Sequence, residues 1–176
     1  MIVTGRPTEA EHAPFFAGYV ALVPESDVLA VLEAQVAELQ ALARAVPDER
    51  EQFAYAAGKW TVREVLGHMT DAERVFGHRA FCISRGEAAT LPAFDENAYV
   101  AASIASTIPL HTLVDEFALV RAVNLVFLRR LERDGWARVG TVASGPASVR
   151  GLAFIMAGHV RHHARVLAER YGVRAA

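Results

Sequence analysis

The segment Gly158-His159-Val160-Arg161-His162-His163 holds the residues of this chain best suited to chemistry. On a helix, His159 and His163 sit one turn apart and about 40° apart around the axis. Both imidazoles then project from one side and can reach one cation. Which side they occupy matters more than their spacing. Leu152, Ile155, Met156, Val166 and Leu167 all fall within about 80° of His159 on the same wheel. Two histidines therefore stand inside an apolar, core-facing stripe. His162 lies about 60° away at the stripe's border, better placed to support the pair or to face solvent. Burying two neutral imidazoles costs a few kcal/mol unless their nitrogens find partners. A metal ion satisfies both, and imidazole suits zinc, nickel, iron or copper. The plainer alternative is two core histidines hydrogen-bonded to their neighbours.

A metal centre needs a third protein ligand. His12, His68, His78 and His111 are available. His12 falls in an irregular arm, and His111 opens a helix where solvent is near. His78 stands beside Arg74 and Asp71 on a polar face. His68, flanked by Val65, Ala72 and Val75, sits at the edge of an apolar stripe and is the best placed of the four. Three neutral histidines leave a divalent cation its charge and an open position. Water there loses a proton near neutral pH and can attack an ester, amide or epoxide. A small thiol there ionises and can attack a soft electrophile. The ligand set does not choose between the two.

Neighbouring groups add little to that choice. Asp71, three residues after His68, could orient its imidazole or act as a base; a solvated helix carboxylate is the commoner fate of such a residue. Glu73 is expected to pair with Arg74 or Arg79. Asn97 and Tyr99 are placed to line a cleft mouth. Cys82, the only cysteine, reads as a small buried hydrophobe rather than a nucleophile. Trp60 and Trp136 read as core or cap residues.

Four long helices must position these groups. The first fits Ser26 to about Val46, capped by Ser26 or Asp27 and ended by Pro47. The second opens at Thr61-Val62-Arg63-Glu64, a capping-box spacing, and runs to about Arg85 before Gly86. A short helix is expected over Glu96 to Ala102. The third long helix fits Leu110 to about Asp134, and Trp136 to Ala147 reads as a loop or small hairpin. The fourth runs from Ser148 to about Tyr171, with Gly172 beyond it. The expected fold class is all-α, a four-helix bundle with long connections. Residues 1–24 form an arm packing on the bundle, and residues 25–176 form the helical domain.

Composition bounds the function. The chain has 176 residues, 53% hydrophobic and 22% charged, which suits one globular domain. A net charge of −2 and the absence of any basic run longer than Arg129-Arg130 argue against nucleic acid as partner. A single cysteine precludes an internal disulfide. No segment has the apolar core of a signal peptide or the length of a membrane span. The expected setting is the cytoplasm, with no membrane partner.

The run Trp60-Thr61-Val62-Arg63-Glu64-Val65-Leu66-Gly67-His68, then Asp71 and Glu73, and later Gly158-His159-x-x-His162-His163, resembles the DinB/YfiT-like superfamily. The resemblance covers the chain from about Tyr19 onward, including the loop Pro92-Ala93-Phe94-Asp95-Glu96. It implies a four-helix bundle of unusual chain order holding one divalent metal through His68, His159 and His163. Some relatives place a glutamate where this chain has His159. Members of the superfamily include bacillithiol-using thiol S-transferases, a mycothiol-dependent isomerase, and proteins labelled metal-dependent hydrolases or DNA-damage-inducible. The resemblance therefore implies a metal-dependent enzyme acting on small molecules, with a low-molecular-weight thiol as co-substrate and thiol transfer as its reaction. A hydrolase and a non-catalytic stress-response protein are the alternatives. Zinc or nickel is expected ahead of iron or manganese, and a homodimer is expected in keeping with many relatives.

Overall fold

Three of the four long helices begin where a side chain caps them. In the computed structural model, which describes residues 5–174, Asp27 accepts from the Ala30 amide at the start of α2 (Val28–Arg44). Thr61 and Glu64 form the expected capping box at the start of α3 (Val62–Ser84). Ser148 accepts from the Gly151 amide at the start of α7 (Val149–Arg170). Preceding α2 is α1 (Ala17–Ala21); between α3 and α7 lie α4 (Glu96–Ala102), α5 (Leu110–Leu128), α6 (Arg133–Ala137) and the strands β1 (Val139–Val142) and β2 (Gly145–Ser148). The strands pair antiparallel, Val139 opposite Ser148 and Val142 opposite Gly145, so the segment before α7 is the hairpin of the two forms expected.

The third long helix is shorter than its sequence suggests. It stops at Leu128 instead of near Asp134, which lies inside the separate helix α6. The break lets Leu131 and Trp136 turn back onto the core that already holds Leu125 and Leu128.

Packing defines the bundle. α3 lies against α5 and α7, and α2 lies against the same two helices. The order around the bundle is thus α2, α5, α3, α7, with consecutive helices α2 and α3 set diagonally. Every long helix crosses between two apolar clusters. Val28, Val31 and Leu32 of α2, Phe76 and Ala80 of α3, Leu125 and Leu128 of α5, and Leu152 to Ala157 of α7 make one. Leu39 and Leu42, Val65 and Met69, Leu113 and Phe117, and Val160 and Leu167 make the other.

A polar residue marks each crossing: Gln35, Glu73, Arg121 and His159. Arg121, with no exposed surface, donates to both Glu73 carboxylate oxygens at 2.7 and 2.9 Å. It also donates to the Leu32 carbonyl and to Gln35 Oε1. Gln35 in turn donates to the Ala157 carbonyl at 2.7 Å, two residues before His159. Glu73 therefore pairs across the bundle, not with Arg74 or Arg79 as its local spacing suggests. An isolated buried carboxylate is costly, and Arg121 supplies a bidentate partner from across the bundle.

The arm preceding α2 lies along the bundle. Glu11 accepts from Ser148 Oγ and Arg150 at the start of α7, and α1 packs on α7. The arm's first four residues, and residues 175–176 of the expected helical domain, lie outside those described. Among the described residues no helix is long and apolar enough to cross a membrane.

Candidate metal centre

α3 and α7 pack side by side, and this brings together histidines 91 residues apart in sequence. His68 Nε2 and His163 Nε2 each lie 3.0 Å from His159 Nε2. The donor atoms of all three lie within 4.8 Å of one another, so the trio could hold a metal ion. Exposure of His68, His159 and His163 is 5%, 5% and 8%. His162 is only half-buried and stands outside the trio. His12 pairs with Ala147 beside the hairpin, while His78 and His111 are exposed.

Proton counting favours a cation in this position. A neutral imidazole nitrogen either carries a proton or offers one lone pair. His159 Nε2 faces two other ring nitrogens, so three imidazoles cannot all satisfy one another there. A cation accepting three lone pairs resolves the conflict. Tetrahedral zinc with bonds near 2.0–2.1 Å sets its nitrogens about 3.3 Å apart, close to the 3.0 Å from His159 to each of its two partners. Burial pushes His68 down to about 4, with the Glu96 carboxylate opposing. Burial, and then the neighbouring histidines, hold His159 and His163 well below the usual imidazole range. All three are neutral at pH 7, the form that binds metal.

Aromatic packing orients these rings. The Nδ1 atoms of His68 and His163 have no hydrogen-bond partner among the described residues, although metal-binding histidines usually donate through the second nitrogen. Instead Trp60 lies 4.7 Å from the His68 ring, Tyr19 lies 5.5 Å from His159, and Phe76 lies 5.8 Å from His159. Trp60 is thus part of the site's wall, not simply a cap residue. Trp136 is buried in the core, as expected.

A cavity of about 480 Å³ opens onto the trio, a size that suits a small molecule. Phe15, Phe16, Tyr19, Trp60, Phe76 and Phe94 make its walls, and Arg79, Glu96, Ser144 and His162 are its other polar lining. A second cavity of about 300 Å³ shares Trp60, His162 and His163 with the first and is lined by Lys59 and Asn97. The sequence marks Phe16 and Tyr19 as apolar contacts of the arm, not as site residues, since both lie in short elements.

The remaining candidates fall elsewhere. Asp71 lies 3.7 Å from Arg74 and makes no hydrogen bond to His68, so it does not orient that imidazole. Its separation from the centre follows from its place on the adjoining face of α3. Asn97 lines the second cavity, and Tyr99, half exposed, packs on Phe94. Cys82 is half-buried, with its sulfur 3.5 Å from His78 Nε2. That contact spans one helical turn and was not expected from the sequence, and neither residue belongs to the trio.

A model of the DinB superfamily matches residues 31–167. No curated sequence matches the chain. Among solved structures, YfiT from Bacillus subtilis, described as a probable metal-dependent hydrolase with an unusual four-helix bundle topology, is similar with TM-score 0.73 and 19% identity. The similarity covers 95% of this chain and 93% of that one. The mycothiol-dependent maleylpyruvate isomerase is similar with TM-score 0.68 and 16% identity, covering 89% of this chain and 64% of that one. A histidine-to-alanine mutant of the isomerase gives the same figures. At these identities the likeness establishes the bundle and its topology.

Proposed function

The chain belongs to the DinB superfamily, and from that premise we propose that it is a divalent-metal enzyme transferring a low-molecular-weight thiol, through its sulfur, to a small electrophile. The observation that carries this reading is the convergence of His68, His159 and His163 beneath an aromatic cavity. Their neutral imidazoles are the proposed ligands. A divalent cation there supplies Lewis acidity, which makes a thiol or a water molecule ionise near neutral pH.

The protein's own residues do the rest. Phe16, Tyr19, Trp60 and Phe76 exclude water and offer apolar surface to an electrophile's body. The second cavity, which shares Trp60, His162 and His163 with the first, offers a polar thiol a seat with Lys59 and Asn97 at its wall. In the transfer, a sulfur–carbon bond forms, the bond from that carbon to its leaving group breaks, and the leaving group departs with the electron pair. The thiol's proton passes to solvent.

The test is conjugation. Protein loaded with zinc or nickel is incubated with bacillithiol, or another small thiol, and monochlorobimane. Metal-dependent fluorescence above the uncatalysed rate is expected, and its absence with every thiol counts against the reading. A hydrolase is the second reading, favoured by the description of the similar YfiT structure. Turnover of esters or amides without thiol distinguishes it. Strong stabilisation by metal with neither activity would identify a non-catalytic protein.

A further inference from the structure

Among the described residues Arg79 differs from Arg121, the other buried arginine, and from the half-buried Arg63 and Arg150. Arg121 is held by Glu73, Arg63 by Glu51 and Arg150 by Glu11. Arg79 is 5% exposed, and among the described residues no carboxylate pairs with it. Its Nη2 donates to the Pro92 carbonyl at 2.7 Å. Its Cζ lies 5.9 Å from the Phe76 ring and 5.8 Å from the Phe94 ring. A guanidinium has five N–H donors, and a buried charge without a counterion is costly. Arg79 also lines the cavity that opens onto the histidine trio.

Its place on α3 is informative. Arg79 follows His68 by eleven residues, three turns and about 20° of rotation, so the two share a face. Phe76 links Arg79 to the trio, with its ring 5.9 Å from Arg79 Cζ and 5.8 Å from the His159 ring. Glu96, the acidic group in the cavity, acts on His68 and Tyr19. It would keep an anion away from that end and leave it to Arg79.

We propose that Arg79 receives a carboxylate of the substrate, so that the protein takes small organic acids whose apolar body lies along Phe76 and Phe94 and whose reacting end meets the histidine trio. This rests on reading the cavity as the substrate site. A planar carboxylate matches the guanidinium fork, and the apolar walls around a single cation suit a monoanion.

The experiment titrates 3-phenylpropionate and its neutral amide into the full chain, zinc-loaded and metal-stripped, by calorimetry. The acid should bind about tenfold or more tighter than the amide. R79M should abolish that preference, and R79K should keep part of it. Equal binding of acid and amide to the unaltered protein overturns the proposal. So does a preference that survives R79M, since the metal would then be the carboxylate's receptor. If R79M does not fold, R79K and the unaltered protein decide, because loss of the planar fork must weaken the acid more than the amide. Absence of thiol conjugation would sink the transferase reading and leave these ratios standing. Conjugation without an acid preference would do the reverse.

Discussion

The Tyr19 carbonyl oxygen occupies the space in which a side chain on Gly158 would begin. Glycine at that position lets α1 lie directly on α7 and sets the Tyr19 ring against His159 and His162. Gly158→Ala should force the two backbones apart at a cost of about 1–3 kcal/mol, with a melting point lower by about 2–4 °C per kcal/mol. Metal content should persist, since the three histidines lie on α3 and α7 and not on the displaced arm. A melting curve that superposes on that of the unaltered protein would show that the arm does not bear on α7 in this way.

Metal binding itself is predicted at about one divalent ion per chain. His159→Ala should abolish it, because His159 Nε2 is the nitrogen that faces both of the others. His68→Ala and His163→Ala should each weaken it by orders of magnitude by leaving two ligands. His162→Ala should have the smaller effect of a residue outside the trio. Elemental analysis of untagged protein measures all four, and a His159→Ala protein that keeps a full complement of metal would refute the assignment.

The Arg121–Glu73 pair makes a third prediction. Arg121→Met leaves a carboxylate buried without its partner, which costs about 3–5 kcal/mol. Joining it to Glu73→Met removes the stranded charge and should recover much of the loss. Urea denaturation of the two single variants and the double variant gives the coupling. If the double variant is as unstable as the sum of the singles, the pair is not acting as a unit.

That pair also shows where sequence reading stops. His159 and His163 were legible because both their spacing and their apolar surroundings are properties of one helix. Thr61 with Glu64, Asp27 and Ser148 were legible for the same reason, since caps are local. His68 could be placed only at the edge of its stripe, because its partners belong to another helix. Its convergence with them depends on α3 lying beside α7 while α2 and α3 sit diagonally, and no periodicity encodes that order. Glu73 offered Arg74 and Arg79 as nearby partners, whereas its actual partner is 48 residues away. Arg79, freed of that pairing, became a feature of the cavity that the sequence had disguised as a surface ion pair.

The last prediction concerns acid. In metal-free protein the buried histidines have folded values below the unfolded value near 6.5, about 4 for His68. Above pH 6.5 both states hold these imidazoles neutral, and they add no pH dependence. As pH falls below 6.5 the unfolded chain takes up protons that the folded chain refuses, so stability declines toward pH 4, by up to ~1.4 kcal/mol per pH unit for each such histidine. Carboxylates titrate in the lower part of this window too, which makes the raw curve ambiguous. Comparison with a variant carrying His68→Leu, His159→Leu and His163→Leu removes that ambiguity, because the carboxylates are common to both. Denaturant midpoints measured from pH 7.5 to 4.5 should fall more steeply in the metal-free unaltered protein than in the variant. Parallel curves would mean that the three imidazoles take up protons as readily in the folded protein as in the unfolded one, which is incompatible with their burial as neutral ligands.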